Sequence, residues 1–180
     1  TPTVNVLTSL QAQRLRHLIS QGSTYPAANT QSQTEVLTAF GIDPTKINSL
    51  STLYSMEING NSDADSVLLA VSIILSKMAT NAAVANSTTQ PAELSNYISI
   101  IAAQIANTGT ITNTTVIAAR NLAETQIDLA AVRINIETYY ANRGVPIVAP
   151  KFEEWVDKDG SGILPRRLVP VTGLSFTDVS

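Results

Sequence analysis

The sequence predicts an all-α fold: a compact bundle of about six or seven helices around a central buried helix at about residues 63–79, followed by an extended C-terminal tail. Three observations predict it. Apolar residues recur at helical spacing over most of the chain before Gly144. One segment near residue 70 is apolar on every side, as expected of a helix at the centre of a bundle. Glycine and proline fall where helices end and begin.

The first three predicted helices are short and are separated by glycine and proline. The first is predicted over residues 8–21, because leucines and an isoleucine recur on one face. Glycine is typical just after a helix, proline of a first helical turn, and aspartate of the N-cap position. The residues predicted to begin or end these three helices are Gly22, Pro26, Gly41, Asp43 and Pro44.

The central helix carries the clearest signal. Asn59-Gly60 predicts a turn, and Ser62 with Asp65 three residues later resembles a capping box. The run from Val67 to Leu75, interrupted only by Ser72, is apolar all round the helix. It is about half as long as the roughly 18 residues that a membrane span requires, so we expect burial in the protein and no membrane span.

Three further helices are predicted in the second half. Pro91 begins one, whose apolar stripe continues to Ile105, and a shorter helix follows over residues 114–123. The last begins near Asp128 and ends at Gly144. Its residues predicted to face the core are Leu129, Val132, Ile136 and Tyr139.

The character of the sequence changes after residue 144. Pro146 and Pro150 prevent a continuous helix, and apolar residues alternate further on. We therefore predict a helical domain over residues 1–150, and an acidic turn, a linker and the start of a following β-domain over residues 151–180. Because the chain starts at Thr1 without a signal-like segment, we expect a processed protein or a piece of a longer one.

Composition narrows the function classes. Charged residues make up 14% of the chain and the net charge is -3, with no basic run. This gives no reason to expect a nucleic-acid partner, because such proteins carry basic patches. The chain has no cysteine, so disulfides and thiolate metal sites are excluded.

The acidic turn is the one candidate metal site. Asp157, Asp159 and Ser161 occupy the first, third and fifth positions of a calcium-loop pattern, with Gly162 at the sixth. The twelfth position, which should be a bidentate glutamate, is Leu168. The same residues are typical of a plain turn between two domains. Both interpretations stay open: calcium bound at the turn, or a turn alone.

Neither catalysis nor ligand binding has a strong signature. His17 is the only histidine and is interpreted as a half-exposed helix residue. The scattered carboxylates could include an acid–base pair, but several, such as Asp65 and Glu93, are better explained as helix-start residues. No catalytic residue is therefore predicted. Trp155 is the candidate binding residue, either as a ring exposed at a domain junction or as a plug in the helical core. Tyr97, Tyr139 and Tyr140 could also contribute to a stacking platform, but Tyr97 and Tyr139 lie on predicted core stripes and are interpreted mainly as packing residues.

Three stretches carry a family resemblance. The first is "VNVLTSLQAQRLRHLISQG" followed by "AANTQSQTEVLTAFGI"; the second is "SDADSVLLAVSIILSK" with "AELSNYISIIAAQIANTGTI"; the third is "LAAVRINIETYYANRGVPIVAPKFEEWVDKDGSGI". In this order they resemble an uncharacterised helical domain of large secreted or lipid-anchored multi-domain surface proteins of Bacteroidetes. The resemblance covers roughly residues 4–162.

The resemblance implies a module of an exported protein, located outside the cell or on the bacterial outer surface, with neighbouring β-domains of the same chain as partners. From the residues themselves we expect a non-enzymatic spacer or interaction module, and calcium at Asp157, Asp159 and Ser161 would stiffen the connection to the next domain. No cofactor is required. The alternative is a glycan- or peptide-binding module that uses a groove between helices. Exposed aromatic residues in a concave surface would favour that alternative, and a convex polar surface would favour the spacer.

Overall fold

The structure, a computed structural model, describes residues 4–161 and confirms the predicted all-α bundle. Within that range it contains six α-helices, three short 3-10 helices and no strand. The predicted extended tail and β-domain start at residues 162–180 lie outside the described residues. The α-helices are α1 (Val6–Ser20), α2 (Tyr25–Ala39), α3 (Asp63–Asn86), α4 (Gln90–Thr108), α5 (Thr114–Gln126) and α6 (Leu129–Ala141). The 3-10 helices are Pro44–Lys46, Leu53–Ser55 and Phe152–Trp155.

Helix α3 begins with the predicted capping box. The backbone N–H of Asp65 donates to Ser62 Oγ at 3.1 Å, and the backbone N–H of Ser62 donates to Asp65 Oδ2 at 2.9 Å. The helix continues past residue 79 to Asn86, because neither glycine nor proline interrupts the sequence before Pro91. Its last residues, from Val84 to Asn86, are exposed, with Val84 at 80%.

The first half of α3 is the centre of the bundle. Every residue from Ala64 to Val71 is buried, and α4, α5 and the last 3-10 helix pack against α3. By length and composition alone, α3 is the one helix within residues 4–161 that could cross a membrane. Half of its most apolar window is buried inside the fold, and the core helix of a compact bundle meets the same criterion.

Helices α1, α2 and α4 form one side of the bundle, with α1 in contact with both of the others. Asn5 caps α1, because its side chain accepts the backbone N–H of Thr8 at 3.0 Å. The predicted helix ends are confirmed at Gly22 and Gly41, whose φ angles are 94° and 78°. Asp43 caps the short helix at Pro44, also as predicted.

Helix α6 lies at the periphery, and none of its residues is fully buried. Leu129, Val132 and Ile136 are partly buried against the core, but Tyr139 is 51% exposed. The prediction that Tyr139 faces the core is therefore wrong. No residue of α6 is fully enclosed by its neighbours, and the Arg143 guanidinium lies 3.5 Å from the centre of the Tyr139 ring instead.

The helical body continues past the predicted domain boundary. Phe152, Trp155 and Val156 are 0%, 2% and 0% exposed and belong to the same core as α3. The predicted boundary between residues 150 and 151 falls within that core, and the division of the chain into two domains stays a prediction. Pro146 and Pro150 do end the helical pattern, but the chain after them folds back onto α3.

Candidate functional site

The candidate site is the exit segment, residues 149–158, through which the chain leaves the described bundle. A single arginine on α6 holds its first half. Arg133 Nε and Nη2 contact Glu153 Oε1 and Oε2 at 2.8 and 2.9 Å, a two-point ion pair. The same guanidinium donates to the carbonyl oxygens of Ala149 and Pro150 at 2.7 and 2.9 Å. Arg133 therefore fixes both backbone and side chain of the segment.

Two neighbours reinforce this contact. Glu137 Oε1 accepts the backbone N–H of Ala149 at 3.0 Å and an N–H of Arg133 at 3.2 Å. The Arg133 guanidinium also lies 5.3 Å from the centre of the Phe152 ring. Hydrogen bonding to Glu153 is the main reason that the pKa of Arg133 is raised above its ordinary value, so this group stays charged.

The second half of the exit segment is held at the end of α5. Lys158 Nζ donates to the carbonyl oxygens of Thr125 and Ile127. A cation at the C-terminus of a helix is favoured by the helix dipole and by the unpaired carbonyls there. The Lys158 ammonium is thus bound by α5.

Trp155 is buried in this segment, at 2% exposure. Of the two interpretations, the ring exposed at a domain junction is wrong, and the plug in the helical core is the arrangement found. Burial follows from its neighbours, because Phe152 and Val156 on the same short stretch are also enclosed by the core. Trp155 cannot stack on a ligand in this conformation.

The three calcium candidates come shortly after Trp155 in the sequence. Asp157 is half-buried, whereas Asp159 and Ser161 are exposed, and all three belong to one turn. The backbone N–H of Ser161 donates to Asp159 Oδ1 at 3.0 Å, and hydrogen bonds from Ser161 hold the pKa of Asp159 below its ordinary value. Within residues 4–161 no three carboxylate or imidazole side chains cluster. Calcium at this turn stays a prediction, and the loop positions Gly162 and Leu168 lie outside the described residues.

Other candidate residues take structural positions. His17 is half-buried on α1, as expected. Glu93, predicted as a helix-start residue, accepts from Asn86 Nδ2 at 3.0 Å and from Thr88 Oγ1 at 2.7 Å, which orders the turn between α3 and α4. The hydrogen bond from Asn86 is the main reason that its pKa is lowered. These contacts favour the structural interpretation of Glu93 over a catalytic one.

Sequence reasoning missed one ionic cluster. Arg14 on α1 contacts both carboxylate oxygens of Glu35 on α2, at 2.6 and 3.0 Å. It also donates to the carbonyl oxygens of Ala106 and Asn107 near the end of α4, at 3.0 and 3.3 Å. A signal existed, because Arg14 falls on the same helical stripe as the buried Leu7 and would be expected there only with a partner.

The surface of the described bundle has cavities that include the following three. The α3–α6 groove measures about 340 Å³, and two cavities of about 430 and 440 Å³ adjoin the loop at residues 147–151. None of the three is lined by an aromatic residue. The concave aromatic surface required for the glycan- or peptide-binding alternative is therefore not found in these cavities.

With the fold and this segment described, the chain was compared with known proteins. No protein-family model, no curated protein and no solved structure matches it.

Proposed function

We propose that this chain is a non-enzymatic spacer or interaction module that holds the following part of its protein in a fixed direction. The observation that carries the proposal is the anchoring of the exit segment. Phe152, Trp155 and Val156 are buried in the helical core, and Arg133 binds both Glu153 and the backbone before it. A connection built this way transmits the orientation of the bundle.

The contrast with a flexible linker supports this interpretation. Flexible linkers are rich in glycine and serine and make few contacts with the domains they join. Here the exit segment is attached to α3 through buried side chains, to α6 through Arg133, and to α5 through Lys158. Attachment to three separate helices restrains the segment in both position and direction.

The family resemblance extends the proposal to the parent protein. We propose that the parent is an exported multi-domain protein, located outside the cell or on the bacterial surface. Its β-domains would follow this module in the same chain and would be its partners. No enzymatic activity and no required cofactor are part of the proposal.

Calcium binding at Asp157, Asp159 and Ser161 belongs to the same proposal. The turn follows the anchored segment directly, so a cation there would stiffen the last described part of the exit. Lys158 lies inside the turn, and its ammonium donates to the carbonyl oxygens of Thr125 and Ile127. Its positive charge is therefore held at the end of α5. Titration of the chain with calcium tests this. A rise in melting temperature that is lost in Asp159→Asn is expected, and no response at millimolar calcium would contradict it.

The stiffness of the exit is tested by ¹⁵N relaxation. In the full 180-residue chain we expect order parameters for residues 152–158 close to the value of about 0.85 typical of rigid backbone, as in α3. In Arg133→Met they should fall for residues 149–154. Arg143→Met is the matched control, because Arg143 lies just after α6 but contacts Tyr139 rather than the exit segment. Wild-type values below about 0.6 would reject the spacer proposal.

The glycan- or peptide-binding alternative is less well supported. It requires exposed aromatic rings in a concave surface, and the three cavities described above lack them. Tyr139 and Tyr25 are exposed, at 51% and 63%, but neither lines one of these cavities.

A further inference from the structure

The α3–α6 groove has the form of a small-molecule site. One wall is a single face of α3, the other is a single face of α6, and the link between α5 and α6 closes one end. Its volume of about 340 Å³ falls in the range of roughly 300–1,000 Å³ that is usual for ligand sites. The lining residues are Ile73, Ser76, Lys77, Thr80, Gln126, Ile127, Asp128, Ala131, Val132 and Asn135.

The groove exists because α6 stays at the edge of the bundle. The fully buried run on α3 ends at Val71, and Ile73 is left half-buried where α6 does not cover it. Ile127 and Val132 complete an apolar floor opposite Ile73. This floor suits an aliphatic ligand, since burial of apolar surface contributes roughly 25 cal/mol per Å².

Lys77 gives the groove its charge. It is half-buried, and among residues 4–161 it has no hydrogen-bond or ion-pair partner. A lysine in this position lays its methylene stem along the apolar floor and keeps the ammonium at the opening. Partial removal from water strengthens its attraction for an anion.

Several other polar groups of the groove are already engaged. Gln126 Oε1 accepts from Asn81 Nδ2 at 2.9 Å, Asp128 Oδ1 accepts the backbone N–H of Ala131 at 3.0 Å, and Ser76 Oγ accepts from Gln90 at 3.3 Å. Asp128, in the link between α5 and α6, adds a negative charge to the lining. An anionic group is therefore expected at the α3 wall beside Lys77, away from α6.

We propose that the α3–α6 groove binds a small aliphatic carboxylate, with its carboxylate on Lys77 and its alkyl chain on Ile73, Ile127 and Val132. A long apolar body matches the floor, and one anionic end matches the Lys77 ammonium, which is unpaired among residues 4–161. The inference goes beyond the spacer function and does not depend on it, because no residue of the exit segment lines the groove.

Octanoate is the probe, titrated into the methyl-labelled full chain and followed by NMR. We expect saturable shifts of the Ile73, Ile127 and Val132 methyl groups. Lys77→Met should weaken binding at least tenfold, and Lys77→Arg should retain it. Asp128→Asn keeps an N-cap residue on α6 and should bind octanoate at least as tightly as the wild type. Lys46→Met, outside the groove, is the matched control and should change nothing.

Ligand controls separate charge from chain length. Octanol keeps the alkyl chain without the charge, butyrate keeps the charge on a shorter chain, and octyltrimethylammonium reverses the charge. Each should bind at least tenfold more weakly than octanoate. The proposal is overturned if octanoate gives no saturable shifts, if octanol or the ammonium ligand binds equally well, or if a folded Lys77→Met variant binds octanoate unchanged.

Discussion

Two arginine–glutamate pairs in this bundle use the same contacts at different depths. Arg14 binds both oxygens of Glu35 and two carbonyl oxygens of α4, and Arg133 binds both oxygens of Glu153 and two carbonyl oxygens of the exit segment. The side chains of the first pair are 8% and 22% exposed, whereas those of the second are 28% and 33% exposed. The two pairs share the same contact geometry and differ in how deeply they are buried.

The difference in depth assigns the pairs different roles. When one partner of a buried pair is removed, the other charge is left without compensation in a poorly solvated place. When a partly exposed pair is broken, water replaces most of what is lost. The Arg14 pair is therefore expected to stabilise the whole bundle by joining α1, α2 and α4. The Arg133 pair is expected to set the position of one segment, with little effect on global stability.

The largest effect is expected from Arg14→Met. It removes the charged donor of the Glu35 carboxylate and of two α4 carbonyl oxygens and leaves Glu35 only the neutral Gln31 amide. The free energy of unfolding should therefore fall by about 3 kcal/mol. Urea denaturation measures this change. Arg16→Met is the control, because Arg16 is exposed and donates only to the Ala12 carbonyl of its own helix within the described chain. A loss no larger than that of Arg133→Met would remove the distinction between the two pairs.

The next largest loss of stability is expected from Gly109→Ala, because the added methyl group would lie against the Glu35 side chain. Gly109 has a φ of 72°, and a Cβ there would lie 2.6 Å from Cδ of Glu35. Positive φ alone costs about 1 kcal/mol for alanine. Gly22→Ala isolates that cost, because Gly22 has a φ of 94° with no atom within 4 Å of the added Cβ. We expect Gly109→Ala to be clearly the more destabilising in urea denaturation; equal losses would mean that Glu35 moves aside freely.

A smaller effect concerns acid pH. Burial by itself raises the pKa of Glu35, but hydrogen bonds from Arg14 and Gln31 and the charge of Arg14 bring it below its ordinary value of 4.5. A lowered folded-state pKa contributes stability above pH 4.5, and this contribution is lost as pH falls through the folded pKa.

The measurement is unfolding free energy against pH, compared between wild type and Glu35→Gln, since other carboxylates titrate in the same range. Below pH 4.5 the wild type should lose more stability than the variant. In Arg14→Met only the hydrogen bond from Gln31 opposes the larger effect of burial, so the pKa of Glu35 should lie above its ordinary value. The effect of adding Glu35→Gln should then reverse in sign. Parallel curves for wild type and Glu35→Gln would contradict the lowered pKa.

The sequence predicted the helices better than it predicted these contacts. The central helix follows from local chemistry: a capping box at Ser62 and an apolar run with no glycine or proline. The position of Tyr139 does not, because helical spacing gives the face of a helix but not how far its neighbours extend along it. The burial of Trp155 and the pairing of Arg14 with Glu35 depend on elements distant in sequence, which spacing within one helix cannot reveal.

The smallest global effect is expected from Arg133→Met. Because both side chains of its pair are about one-third exposed, the free energy of unfolding should fall by less than about 1 kcal/mol. The local effect should be larger in proportion, since segments with fewer anchors open more often than the bundle unfolds. Trp155 reports this opening directly, because it is the only tryptophan and is buried in the exit segment.

Acrylamide quenching of Trp155 fluorescence therefore distinguishes a change in the position of the exit segment from a change in the stability of the bundle. Arg133→Met should increase quenching under native conditions, whereas Arg14→Met, although far less stable, should leave it unchanged while the protein remains folded. Arg143→Met should change neither the quenching of Trp155 nor the free energy of unfolding. If Arg14→Met exposed Trp155 as much as Arg133→Met, the exit segment would be opening together with the whole bundle, and the partly exposed pair would have no positional role of its own.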